Sequence, residues 1–331
     1  MTQSPIKTMI PIIDVGAIRS TNTKQRDHLS SEIWRASKDI GFFSIVNHGI
    51  PQNLIDAVFC QIKAFFDIPY KEKVKISNAR SPNMRGYFGI GEESPEHVLA
   101  GDLKEGFDLA SELPADDPDF LNGSKLYGTN QWPQGMPEFQ RTLMEYHERM
   151  TVLSSSLLGM FARAVGKPES FFLPQLRNPL AQLRLLRYPP QDADQLTASI
   201  GCGEHTDYGA IALLAQDAPG LEVKGKTGEW VEVNVIPGAF VVNIGDLMAR
   251  WTNDALQANV HRVVNRRSTL RHSAAFFLDP DYNALIECID SCVSPGGRAL
   301  YGPIVFGQYN EAKLDATFEF RRQRQGGLPQ R

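Results

Sequence analysis

The chain has 331 residues, 42% hydrophobic and 22% charged, the composition of an ordinary soluble globular protein. Its 34 basic and 38 acidic residues leave a formal net charge of −4. That balance excludes the basic surplus on which nucleic acids or anionic membrane surfaces are bound. Four cysteines without a CxxC pair exclude a cysteine-stapled mini-protein, a zinc ribbon and a thioredoxin motif. The short apolar stretch Met9–Val15 is broken by Pro11 and Asp14, and no run is long enough to span a bilayer. The expectation is a cytoplasmic protein with reduced thiols, no membrane segment and no nucleic-acid partner.

In chain order, Ile10–Asp14 reads as a short edge strand, where proline is tolerated. Residues 24–40 carry Leu29, Ile33, Ala36 and Ile40 at helical spacing, and Gly41 ends that helix. Phe42–Val46 is a β-type run stopped at Asn47-His48-Gly49, and a second helix covers 52–67. Residues 77–135 are richer in Gly, Pro, Asn and Asp. They read as an irregular stretch with short strands near Gly86–Phe88 and Phe107–Leu109. The strongest helical pattern is 137–165, with Phe139, Leu143, Tyr146, Met150, Leu153, Leu157 and Phe161 on one stripe. That stripe reads as core packing. From about residue 181, short β-type runs recur between turn signals: Leu183–Tyr188, Ala210–Ala215, Leu221–Val223, Trp230–Val233, Phe240–Ile244, Val260–Val264 and Ser273–Leu278. Strands at this spacing predict a sandwich or barrel.

Gly203-Glu204-His205-Thr206-Asp207-Tyr208-Gly209 is the first chemical pointer. On a strand, residues i and i+2 face one side, so His205 and Asp207 can present an imidazole and a carboxylate to one point. His261 opens a later β-type run. Two histidines and one carboxylate are the facial triad of non-heme Fe(II), which leaves the opposite positions open. A fourth protein ligand would block them, so Cys202, three residues before His205, is not needed.

Ten residues after His261, Arg271-His272-Ser273 opens the apolar run Ala274–Leu278. Alternation places Arg271, Ser273, Ala275 and Phe277 on one face. An inward guanidinium requires an anionic partner, and Arg clamps a carboxylate bidentately with Ser273 adding a hydroxyl. Arg266-Arg267-Ser268 repeats the pattern but falls in a polar stretch that reads as a turn. In Leu183–Tyr188, Arg184, Leu186 and Tyr188 share a face. If that face lines the site, Tyr188 and Arg184 meet a carboxylate there. The competing reading has both Arg184 and Arg187 snorkelling at an edge.

With these motifs in place, the sequence resembles the iron(II)- and 2-oxoglutarate-dependent oxygenases of the isopenicillin N synthase type. The resemblance rests on His205-Thr206-Asp207, His261 and Arg271-His272-Ser273. Asn243-Ile244-Gly245-Asp246, Leu183–Pro189, Ile10–Asp14 and Gly41–Ile50 add to it. It implies a distorted double-stranded β-helix, or jelly roll, with a helical N-terminal region packed on it: an α+β, mainly β fold. It implies His205, Asp207 and His261 as iron ligands and catalytic centre. It also implies Arg271 and Ser273, with Tyr188 and Arg184, at the 2-oxoglutarate. Leu186 stands where many plant members carry Asn. The implied activity is oxidation of a C–H bond of a small organic substrate with O2, giving succinate and CO2.

The expected organisation is an N-terminal region with substrate-covering loops (1–135), a helical support (136–180), the catalytic core (181–310) and a tail (311–331). These would form one compact unit, a monomer. The stretch 84–109 is expected to cover the site mouth. Tyr87, Phe88, Glu93, Phe107 and Phe277 are the candidate substrate residues. Two other readings stay open from sequence: an iron oxidase of the same fold without 2-oxoglutarate, and a catalytically silent binding scaffold. His48 reads as structural, His272 as no metal ligand, and Cys288 and Cys292 as no redox pair.

Overall fold

The computed structural model describes residues 10–93, 102–114, 116–121, 126–191 and 200–317. The chain begins with β1 (Ile12–Asp14), α1 (Thr23–Asp39), β2 (Phe42–Val46) and α2 (Gln52–Phe66). A one-turn helix, α3 (Tyr70–Lys73), leads to β3 (Gly86–Phe88) and β4 (Glu105–Ala110). After a second, α4 (Pro118–Leu121), comes the longest helix, α5 (Pro137–Ala164). The strand-rich part follows: β5 (Pro179–Tyr188), β6 (Cys202–His205), β7 (Ile211–Gln216), β8 (Leu221–Lys224), β9 (Trp230–Glu232) and β10 (Phe240–Ile244). Helix α6 (Asp246–Trp251), β11 (His261–Val263), β12 (Arg271–Asp281), the β13 (Leu285–Ile286) and β14 (Ile304–Val305) pair, and α7 (Phe306–Thr317) complete it.

Eight strands form one sheet in the order β1-β2-β10-β7-β12-β5-β4-β3, and four form a second, β6-β11-β8-β9. Every pair but β1–β2 is antiparallel. The large sheet therefore takes its four outer strands from the N-terminal third and its centre from the later chain. This is a jelly-roll core with helices packed on one face. Gly41 follows α1 with φ 74, the left-handed conformation that ends a helix and that a side chain resists.

The pleat sorts residues between two environments. On β12, Ala274, Phe276 and Leu278 join the helix-side core, while Ala275 and Phe277 face the space between the sheets. On β5, Ala181, Leu183 and Leu185 face the helices and Leu186 and Tyr188 the interior. On β10, Phe240, Val242 and Ile244 pack outward and Asn243 inward. Helix α5 lays its whole expected stripe into this core: Phe139, Leu143, Tyr146, Met150 and Leu157 are fully buried. Proline at its first turn suits a position with no hydrogen-bond duty. Among the described residues, no helix is long and apolar enough to cross a membrane.

Leu157 is buried and Val152, on the same helix, is 64% exposed. We expect Leu157→Ala to cost about 2–5 kcal/mol of stability and Val152→Ala to stay within about 0.5 kcal/mol in denaturant unfolding. Equal losses would contradict the assignment of the stripe to the core.

Candidate active site

His205 and His261 are directly opposed in the β6–β11 register. Their ring centroids lie 4.2 Å apart. Asp207 is not on the strand, contrary to the alternation argument, because β6 ends at His205. A loop carries it instead. That loop is tied to the β10–α6 junction by Asp246 N–H donating to Asp207 C=O (2.8 Å) and Gly245 N–H donating to Ala210 C=O (3.1 Å). Both His205 Nε2 and His261 Nε2 end 3.8 Å from Asp207 Oδ1.

The orientation of each ring is set from behind. Nδ1 of His205 lies 2.8 Å from Gly203 C=O, and Nδ1 of His261 3.2 Å from Asn259 C=O. Donation from Nδ1–H leaves each Nε2 as a lone-pair donor toward Asp207. Asn243 Nδ2 donates to Asp207 Oδ2 at 2.6 Å, so Oδ1 is the oxygen left facing the imidazoles. Burial disfavours charge on both rings. Cys202 and Asp207 nevertheless push His205 up to about 10. Burial and then the neighbouring His205 hold His261 well below the usual imidazole value. One ligand atom from each of the three side chains falls within 4.8 Å of the others. Two imidazole nitrogens and one carboxylate oxygen, converging on a cavity, fit iron(II) with open positions.

The cavity holds about 200 Å³ and lies between the two sheets. At one end Tyr188 forms its wall. Arg271 sits behind that ring, its Cζ 4.8 Å from the ring centroid, because Tyr188 and Arg271 are direct neighbours across β5 and β12. Arg271 is fully buried. Nη2 donates to Gln216 Oε1 (2.9 Å), Nε to Ala218 C=O (3.2 Å), and Nη1 lies 3.5 Å from Ser273 Oγ. Among the described residues no carboxylate forms an ion pair with it, and burial lowers its pKa. A buried guanidinium without an anion is costly, so this end of the cavity suits an incoming carboxylate. The similar motif Arg266-Arg267-Ser268 is a surface turn, with Arg266 paired to Glu222.

Arg184 faces the cavity, yet it has protein partners. Nε and Nη2 donate to the two oxygens of Asp108 (2.8 and 2.9 Å), and Nη1 donates to Glu93 (2.8 Å). Three of its five N–H donors thus go to protein carboxylates, which favours a structural role over the co-substrate contact expected from sequence. Lys104 bridges Glu93 and Asp102, each at 2.8 Å, and lies 3.0 Å from Cys202 Sγ. Despite burial, Glu93 is drawn down to about 2 by Arg184 and Lys104. At Asp108 burial prevails over Arg184 and raises the pKa.

Of the candidate substrate residues, Glu93 and Phe277 line the cavity. Phe107 and Tyr87 do not. They are cross-strand partners on the opposite pleat, where Phe107 packs on Phe65 and Phe139 and Tyr87 O–H donates to Glu105 (2.9 Å). Phe88 points inward but is covered by Arg184, 5.2 Å above its ring, and fills the space left by Gly106. Part of the stretch expected over the site mouth, 94–101, lies outside the described residues. His48 bonds Gly238 C=O (2.6 Å) and His272 bonds Asp217 (3.0 Å), both away from the triad. Cys288 and Cys292 are free thiols.

Four cavity residues carry no sequence signal as site residues. Asn243 stands out only as part of a family-like segment. Lys104 and Asp102 lie in an irregular stretch and reach the site by pairing across about a hundred residues of chain, as in Gly203 N–H donating to Asp102 (2.9 Å). The fourth, Asp279, continues the inward face of β12 two residues beyond Phe277. Burial and then Asp207 push its pKa up to about 7, against the Ala210 N–H it accepts.

Residues 10–135 match the family model of the non-haem dioxygenase in morphine synthesis N-terminal region. Residues 179–280 match that of the 2OG-Fe(II) oxygenase superfamily. The chain is 36% identical over 304 residues to the 2-oxoglutarate-Fe(II) type oxidoreductase hxnY of Emericella nidulans, covering 90% of this chain and 87% of that one. It is 34% identical to the homoarginine-6-hydroxylase 2-ODD-C23.1 of Arabidopsis thaliana, covering 86% and 88%. Among solved structures, a full-length Neurospora crassa protein in complex with alpha-KG and thymine superposes with a TM-score of 0.83 at 27% identity, covering 95% of this chain and 98% of that one.

Breaking a buried ion pair by removing one partner costs about 3–5 kcal/mol. Arg184→Leu leaves Asp108 without its cation and Glu93 with Lys104 alone, and we expect a loss of that size in denaturant unfolding at neutral pH. Unchanged stability would contradict the structural role given to Arg184 and return it to the co-substrate.

Proposed function

Because the chain belongs to the 2OG-Fe(II) oxygenase superfamily and is a 2-oxoglutarate-dependent dioxygenase, we propose that His205, Asp207 and His261 hold its iron(II). Arg271 and Ser273, with Tyr188, seat the distal carboxylate of 2-oxoglutarate. Iron(II), when bound, supplies the site at which O2 and the keto acid react to give succinate and CO2 while a substrate C–H bond is oxidised. The chain's own residues prepare that chemistry. The Gly203 and Asn259 carbonyls hold the imidazoles in one tautomer, and Asn243 holds the carboxylate so that one oxygen is presented. Arg271 offers a charge that no carboxylate among the described residues neutralises. Leu186, Ala275 and Phe277 exclude water with an apolar wall.

The observation that carries the reading is the triad on a cavity whose Tyr188 wall is backed by the buried Arg271, which has no carboxylate partner among the described residues. Within the superfamily we assign the chain to the isopenicillin N synthase type, on the spacing of His205-Thr206-Asp207, His261 and Arg271-His272-Ser273. The substrate is a small N–H-bearing molecule. That choice is supported by relatives named homoarginine-6-hydroxylase and by the thymine complex of the Neurospora crassa protein. A cytosolic setting is supported by the four free thiols.

The test is an anaerobic titration of the iron(II)-loaded protein with 2-oxoglutarate, read by the weak visible charge-transfer band of an iron-chelated keto acid. We expect the band in the parent. In Arg271→Ala the 2-oxoglutarate affinity falls at least about thirtyfold, as expected for losing a buried charge pair. An undiminished band would remove Arg271 and Ser273 from the co-substrate site. Asn243→Ala leaves Asp207 without its support, and iron affinity is expected to fall about 10–100-fold in a competitive chelator titration. Unaltered affinity would contradict the positioning role of Asn243.

A further inference from the structure

We propose that Asp279 is a substrate-specificity residue whose carboxylate binds a cationic nitrogen group, an ammonium or guanidinium, of the small molecule that the site oxidises. The proposal rests on the reading of the cavity as the oxygenase site and names what its far end recognises.

The inward face of β12 runs Arg271, Ser273, Ala275, Phe277, Asp279. It begins with a buried cation that has no protein anion and ends with a buried anion that has no protein cation, among the described residues. Asp279 is 8% exposed and forms no ion pair among those residues. It accepts Ala210 N–H at 2.7 Å and lines both the iron-site cavity and a smaller one of about 50 Å³ beside it. The two cavities share Gln182, Arg184, Asp279, Asn310 and Leu314. Gly209 allows this approach, since a Cβ there would fall 2.0 Å from Asp279 Oδ1.

Among the described residues, each nearby cation is already held. Lys104 is shared by Glu93 and Asp102, and Arg184 by Asp108 and Glu93. Arg85, in the wall of the smaller cavity, donates to the carbonyls of Gly128 and Leu126. Lys313 lies over the Tyr208 and Tyr309 rings, 5.1 and 5.8 Å from their centroids, with Asp246 nearby. Asp207 faces the histidines. Beyond it, the walls of the two cavities present four carboxylates, Glu93, Asp102, Asp108 and Asp279, against three cations, Lys104, Arg184 and Arg85, so that among the described residues one carboxylate, that of Asp279, is left over. A buried surplus of negative charge is relieved when a ligand brings positive charge. The site therefore favours a cation over its neutral isostere and disfavours an anion.

The experiment compares butylguanidinium with the isosteric neutral butylurea by ligand-observed NMR titration of the anaerobic iron(II)–2-oxoglutarate complex. It is run in the parent and in Asp279→Asn, whose amide oxygen still accepts the Ala210 N–H. We expect the parent to prefer butylguanidinium by at least about tenfold, the worth of one hydrogen bond to a charged group, and Asp279→Asn to lose that preference. Equal binding of the two probes by the parent, or an unchanged preference in the variant, would overturn the proposal. The charge-transfer band, recorded on the same samples, separates the two ideas. Its presence in both proteins shows that the variant is folded and the co-substrate site intact. Its absence in the parent counts against the oxygenase site and not against Asp279.

Discussion

The arrangement depends on one antiparallel register. His205 at the end of β6 lies opposite His261 at the start of β11, so two imidazoles from segments 56 positions apart in the numbering meet with no freedom to slide. A one-residue slip of either strand would turn its imidazole to the other face of the small sheet and away from the other ring. The chain leaves β6 immediately after His205, and the loop that follows brings Asp207 back to the same point. Its backbone is fastened to the β10–α6 junction, and Asn243 from β10 fixes the carboxylate. The large sheet thus sets the third ligand while the small sheet sets the first two. The triad exists only when both sheets are folded face to face.

The same pleat that builds the core also distributes charge. Along β5, β10 and β12, outward residues are apolar toward α2 and α5 except Arg187 and His272, which are paired to Glu105 and Asp217, while inward residues include Arg184, Asn243, Arg271 and Asp279. Buried charges of this kind are tolerated when paired. Glu93, Asp102, Lys104, Asp108 and Arg184 satisfy one another. Arg271 and Asp279 do not find partners of opposite charge among the described residues. The two lie at opposite ends of one strand face, one toward the end proposed for the co-substrate and the other toward the end proposed for the substrate.

Much of this was legible in the residues. Hydrophobic alternation placed Tyr188 and Arg184 on one face of β5, and Arg271, Ser273 and Phe277 on one face of β12, because period two is a local property. The helix over 137–165 was legible for the same reason. The motif His205-Thr206-Asp207 named side chains that the fold does bring together with His261, through an argument that was only half right, since Asp207 is held by a loop and not by a strand. What sequence could not supply was pairing at long range. That Arg184 is already taken by Asp108 and Glu93 depends on β4 lying beside β5. That Phe107 and Tyr87 face the helices depends on which pleat of β4 is inward. Lys104 and Asp102 join the site only when the stretch before β4 meets β6.

The central claim is that three protein atoms, and no more, hold the iron. Cys202 is the side chain that could contradict it: it is buried, lines the cavity and places Sγ 3.8 Å from His205 Nδ1. Iron K-edge X-ray absorption of the anaerobic iron(II) protein decides the matter most directly. The account predicts a first shell of nitrogen and oxygen scatterers, two of them showing the outer-shell pattern of imidazole, with no sulfur. A sulfur scatterer, or imidazole scattering that survives unchanged in a His205→Ala, His261→Ala double variant, would contradict it.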